Sequence, residues 1–168
     1  MRIGPGRVRA GRLALGTNVE YRCDVPRFRR DAKLIALKQA PLFEGLSRKQ
    51  LEQVARLSDD LDLPAGTVLC KEGSRGREFF VILEGEAEIT KGSRHIATVG
   101  PGDFFGEIAL LEHVQRTATV TAETPLRVFV ISDLAFKGVL DTDPTIERKL
   151  LRTLARRLAS TFGDPTLQ

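Results

Sequence analysis

The sequence predicts a mainly β domain, an antiparallel β jelly-roll barrel with helices in front and behind. Three observations carry that expectation. Short strand-like runs recur between residues 61 and 131, separated by glycine turns at roughly 8–12 residue spacing. The apolar period becomes helical before residue 59 and again after residue 132. The length, 168 residues with 42% hydrophobic side chains, suits one good core rather than two ordinary domains.

Residues 1–30 mix Gly, Arg and Pro without apolar periodicity and are expected to be a basic, flexible lead. Residues 31–162 form the domain, and 163–168 a tail. Ala32 to Leu37 predicts a short helix stopped before Pro41. Ser47 reads as an N-cap with Gln50 as its capping-box partner and Leu46 and Leu51 as the staple, giving a helix to about Ser58. Leu61 and Leu63 alternate with Asp62, and Pro64-Ala65-Gly66 is a turn. Thr67 to Cys70, Glu78 to Leu83, Ala87 to Thr90, His95 to Val99, Thr117 to Ala122 and Leu126 to Ile131 are the further strands. Ser132 caps Asp133 to Leu140. Asp143 and Pro144 start a longer helix to Phe162, with Ile146, Leu150, Leu151, Leu154, Leu158 and Phe162 as its apolar stripe, ended by Gly163-Asp164-Pro165.

The net charge of +4 and a pI near 9.4 point first towards nucleic acid. The charge is uneven. Residues 1–33 hold nine basic and three acidic side chains, +6 of the +4 total, which leaves −2 on the rest. The basicity belongs to the lead, where a solvated tail is the favoured reading over contact with nucleic acid, anionic lipid or an acidic partner. No apolar run approaches the roughly 20 residues of a membrane span, and Leu13 to Leu15 is too short for a signal-peptide core. A cytoplasmic chain is expected, with Cys23 and Cys70 as free thiols.

The chemistry is concentrated in residues 101–122, PGDFFGEIALLEHVQRTATVTA. Gly106 precedes a one- or two-turn helix, Glu107-Ile108-Ala109-Leu110-Leu111. A helix start offers unpaired N–H groups and a positive dipole end to an anion. Arg116 opens the next strand and suits a two-pronged phosphate contact. Ala109 and Ala118 leave room, and Glu107 is an acceptor for ribose hydroxyls. Taken singly, each of these residues reads as structural; the combination at this spacing is what changes the odds.

The segment Phe105-Gly106-Glu107-Ile108-Ala109-Leu110, with Arg116-Thr117-Ala118 after a loop, resembles the phosphate-binding cassette of cyclic nucleotide-binding domains. PLFEGLS at 41–47, PAGTVLCKEG at 64–73 and EFFVILEGEAEI at 78–89 extend the likeness across residues 37–160. The resemblance implies a binding set of Phe105, Gly106, Glu107, Ile108, Ala109, Arg116, Thr117 and Ala118. In it Glu107 takes the ribose 2′-hydroxyl, backbone N–H groups near Gly106, Ile108 and Ala109 hold the cyclic phosphate, and Arg116 pairs with its charge. Thr117 raises cGMP beside cAMP as ligand. The C-terminal helices, 133–162, would close over the base, with Leu151, Leu154 or Arg157 as the lid contact and Leu150 and Leu158 also eligible.

The implied output is a shift of this lid, passed to an effector protein or to a homodimer through the same helix. Neither enzyme nor cofactor is expected. A cupin-like metal site needs clustered ligands, and the two histidines, His95 and His113, lie in different blocks. Only six residues follow Phe162, so no DNA-binding module is expected. The rival readings are a degenerate jelly roll acting as a protein-interaction module, and a fragment of a transcription regulator or channel.

Overall fold

The computed structural model describes residues 30–162. The expected lead, the Cys23 thiol and the Gly163-Asp164-Pro165 stop lie outside them. The order is α1 (Arg30–Gln39), a 3-10 turn (Pro41–Phe43), α2 (Arg48–Leu57), β1 (Ser58–Leu63), β2 (Val68–Cys70), β3 (Glu78–Glu84), β4 (Ala87–Lys91), β5 (Arg94–Val99), β6 (Phe104–Phe105), α3 (Glu107–Leu111), β7 (Thr119–Ala122), β8 (Leu126–Ser132), α4 (Asp133–Thr142) and α5 (Pro144–Phe162).

The strands make two four-stranded antiparallel sheets, β1-β8-β3-β6 and β2-β7-β4-β5. No ladder joins one sheet to the other among the described residues, so the expected closed barrel is corrected to two separate sheets. Their apolar residues interdigitate: Phe80, Ile82, Val128 and Val130 of the first sheet share a cluster with Leu69, Ala87, Val99 and Val120 of the second. The opposite face of the first sheet carries Phe79, Val81, Phe129 and Ile131. These pack against Leu51 and Val54 of α2, Phe136 and Val139 of α4, and Ile146 and Leu150 of α5. β3 and β8 are thus covered on both faces, which is why Phe79 to Ile82 and Val128 to Ile131 read as apolar runs rather than alternations. Phe79 stacks on Phe136 at 4.7 Å between ring centroids, and Phe80 on Phe105 at 4.9 Å.

Several elements differ from expectation for identifiable reasons. The capping box at Ser47 forms as read, with Ser47 N–H donating to Gln50 Oε1 (2.7 Å) and Gln50 N–H to Ser47 Oγ (3.3 Å). The helix nevertheless ends at Leu57, because Ser58 to Asp60 join β1 and pair with Phe129 to Ile131 of β8. The charged β1 residue Asp60 is held there by Arg127, which donates from Nε and Nη2 at 3.3 and 3.2 Å. β6 is a two-residue strand recruited by β3, too short to show a period. α1 and α4 each run beyond their predicted ends. Arg116, Thr117 and Ala118 precede β7 rather than opening it.

Candidate functional site

The site is built where the start of β3 meets the turn between β6 and α3. Gly106 caps α3 with φ of 91°, a conformation that favours glycine. A Cβ there would lie 2.7 Å from both Arg116 Nη1 and the Glu78 carbonyl, so only glycine lets the three groups approach.

Arg116 is fixed along its whole length. Its N–H donates to Ser74 O and its carbonyl accepts from Gly73 N–H, both at 2.8 Å. Its guanidinium lies over the space left by Gly76, where a Cβ would fall 1.8 Å from Nε. Nη1 donates to Gly106 O at 3.0 Å. Nη2 donates to Glu78 O at 2.7 Å and to Glu78 Oε2 at 3.3 Å. The Phe80 ring lies 5.9 Å from the guanidinium carbon. The Arg116 and Glu78 side chains are 4% and 12% exposed, so this pair is largely desolvated.

Glu107 is 3% exposed, an unusual setting for a carboxylate. Burial raises its pKa from the ordinary range. A bond from its own backbone N–H, together with Arg157 and Arg116, works in the other direction. Its partner comes from the far end of the chain: Arg157 Nη1 in α5 donates to Glu107 Oε1 at 3.3 Å, while Nη2 donates to Phe104 O at 2.6 Å. The same guanidinium sits 4.6 Å from the Phe104 ring centroid, a cation–π contact. Cys70, in the core between the sheets, feels Arg116, Glu78 and Glu107; burial pushes its thiol up to about 12, so it is neutral at physiological pH.

The sequence-predicted residues therefore divide. Gly106, Glu107 and Arg116 come together, with Arg157 reaching them from the predicted lid. Phe105 and Ala109 are buried beneath as packing. Ile108 and Thr117 are exposed, and Ala118 is half-buried. Leu154 packs partly buried against the helical core, as does the fully packed Leu150. Leu151 and Leu158 point to solvent, each 59% exposed. Sequence reasoning missed Glu78 and Gly76. They were legible only as the edge of a strand and a turn glycine, since their partner Arg116 lies far along the chain. A separate cavity of about 350 Å³ opens between α1 and the Pro101-Gly102 turn, lined by Ile35, Gln39, Leu83 and Arg127; it does not include the Gly106–Arg116 cluster.

A family model described as "Cyclic nucleotide-binding domain" matches residues 61–143, the stretch from within β1 to the end of α4 that includes Gly106, Glu107 and Arg116 but not Arg157. The chain belongs to the cyclic nucleotide-binding domain family. It is 37% identical over 140 residues to a cAMP-dependent protein kinase regulatory subunit of Mycosarcoma maydis, covering 76% of this chain and 25% of that protein. It is 32% identical over 148 residues to a cyclic nucleotide-gated potassium channel of Rhizobium etli, covering 88% of this chain and 40% of the channel. The solved structure of PKAR CBD2 with bound Sp-2Cl-cAMPS superposes with a TM-score of 0.68 at 26% identity, covering 82% of this chain and 94% of that one. The chain thus spans between a quarter and two fifths of the length of these two curated relatives. Among the described residues no helix is long and apolar enough to cross a membrane.

Proposed function

We propose that this cyclic nucleotide-binding domain is a cytoplasmic sensor that holds cAMP or cGMP without turning it over and passes the binding event to α5. The observation that carries the reading is the convergence of Arg116, Gly106 and Glu107 with Arg157 of α5. Arg116 supplies a buried guanidinium beside the Gly106 turn, the positive charge a cyclic phosphate would pair with. Glu107 supplies an oxygen for the ribose 2′-hydroxyl. Because Arg157 already bridges Glu107 and the Phe104 carbonyl, a ribose on Glu107 acts directly on the attachment of α5. Leu151 and Leu158, exposed on the same helix, and the half-buried Leu154 are the side chains that would cover the base. The same exposed leucines, seven residues apart, would serve a homodimer seam. The coupling is no larger than the nucleotide's preference for the closed arrangement.

One observation favours a second reading, a protein-interaction module without ligand. The guanidinium of Arg116 is already bonded to Glu78 and Gly106, so the fold stands without an anion. Calorimetry with cAMP and cGMP separates the two, with sedimentation of the same samples reading self-association. Saturable binding of either nucleotide is expected, and no heat at millimolar ligand would leave the interaction module. In Thr117→Ala, an unequal loss for cGMP and cAMP is expected if the exposed hydroxyl reads the base; equal losses would remove it as a discriminator.

A further inference from the structure

We propose that Glu78 makes this site selective for a phosphate bearing one negative charge over a phosphate bearing two, so that a cyclic phosphodiester is held and its ring-opened 5′-monophosphate is turned away. The inference rests on the reading of the Gly106–Arg116 cluster as a cyclic nucleotide site and names a specificity residue within it.

The argument starts from the charges. Two guanidinium groups, Arg116 and Arg157, meet two carboxylates, Glu78 and Glu107, in the contacts already given. The cluster is balanced before any ligand arrives. Arg116 is paired side chain to side chain with Glu78, and both are shielded from water, so the carboxylate cancels much of the positive potential the guanidinium would show an anion. Arg157 is committed to Glu107 and Phe104 O in the same way. Cys70 adds no charge, since its thiol is neutral. Arg75, Arg77, Glu112 and His113 flank the site, but all four are exposed, where water and salt screen them.

A site of this kind offers hydrogen bonds without much net attraction. For a monoanion that suffices, because its desolvation is modest and N–H donors replace its water. The cost of desolvating an ion climbs steeply with its charge, and a dianion needs surplus positive potential that Glu78 removes. A site built to attract phosphate in general would leave Arg116 facing only carbonyl oxygens. Here it faces a carboxylate fixed by a second bond, since Glu78 Oε2 also accepts from Arg77 N–H at 3.0 Å. The start of β3 thereby keeps the opposing charge in place.

The test measures the affinity ratio of each cyclic nucleotide to its own 5′-monophosphate, by calorimetry or competition, at pH 7.5 and 5.5. The second ionisation of a phosphomonoester lies near pH 6, so its monoanion rises from a few per cent to most of the population between these values; the cyclic diester keeps its single charge. In the wild type the ratio is expected to fall about twentyfold on acidification, as the monophosphate becomes a monoanion. Glu107 belongs to the same charge cluster, so its own titration is separated by repeating both pH values in Glu107→Gln: a ratio that still falls on acidification is expected, and a fall confined to the wild type would assign the selectivity to Glu107 and overturn the proposal. In Glu78→Gln the ratio at pH 7.5 is expected to drop about tenfold and to lose most of its pH dependence. A wild-type ratio that does not move with pH overturns the proposal, as does a Glu78→Gln protein with the wild-type ratio and slope. If that variant does not fold, a wild-type ratio that does not move with pH still overturns the proposal. Absence of any cyclic nucleotide binding to the wild type overturns the underlying reading as well, whereas tight cyclic nucleotide binding with an invariant ratio overturns only this inference.

Discussion

Two arginine–carboxylate pairs meet at the site, and they are built differently. Arg116 and Glu78 are rooted in one place: the arginine backbone is bonded to Gly73 and Ser74, a few residues before Glu78, and both side chains are nearly sealed from water. Arg157 and Glu107 join two elements far apart in the chain, the short α3 and the long α5. The Arg157 side chain is 34% exposed, while the Glu107 side chain is 4% exposed. The first pair belongs to the fold, and the second is a removable strut. Reading a charge pair as structural or as a switch thus depends less on its length than on whether its two ends share a local frame.

Breaking the first pair should produce the largest effect. Arg116→Ala leaves Glu78 buried without its counter-charge, and a loss of fold stability of about 3–5 kcal/mol is expected in urea titration. Measured at a temperature where the variant stays folded, nucleotide affinity should fall by a further 2–5 kcal/mol or so. Retention of wild-type stability would show that the two pairs are not as different as their burial implies.

Breaking the second pair should act elsewhere. Arg157→Ala removes the bonds to Glu107 and Phe104 O, and the expected cost is about 1–2 kcal/mol, felt as faster hydrogen exchange in α5 with β3 unchanged. If α5 of the variant exchanged at the wild-type rate, Arg157 would not be the strut.

The smallest effect sharpens the contrast through pH. Glu107 has a raised pKa in the folded chain, so the folded state holds its proton to higher pH than the unfolded state does. Its contribution to stability is present below the ordinary carboxylate range and is lost as pH rises through the raised folded value. Glu107→Gln keeps an acceptor for Arg157 without the charge. The stability advantage of the wild type over this variant should therefore shrink as pH is raised from 4 towards neutrality, read as the difference between urea midpoints. An advantage that grows with pH would mean that Arg157 outweighs burial.

What could be read in the sequence was what neighbours in the chain decide. The Ser47–Gln50 capping box, the Ser132 cap and the turn glycines rest on contacts spanning a few residues, and they stand where expected. The Gly106–Glu107 turn and Arg116 were visible because the resemblance joins them in one short segment. What could not be read depends on distant partners. Ser58 to Asp60 carry no strand pattern and become strand only beside β8. Closure into a barrel or division into two sheets is decided by ladders between segments far apart, such as β2 with β7. Glu78 looked like the polar margin of an apolar run, and only the return of the chain at Arg116 gives it a role.

The double-sided burial of β3 has a kinetic consequence. The strand that fixes Glu78, and through it Arg116, is held between two apolar clusters, so its opening is expected to follow unfolding of the domain. α5 is tied at Ile146 and Leu150, but farther along it reaches the site through the half-exposed Arg157. A nucleotide held there would leave at the rate at which the distal turns of α5 lift. Its residence time and the lifetime of the fold would then be governed by different parts of the chain, free to be tuned one without the other.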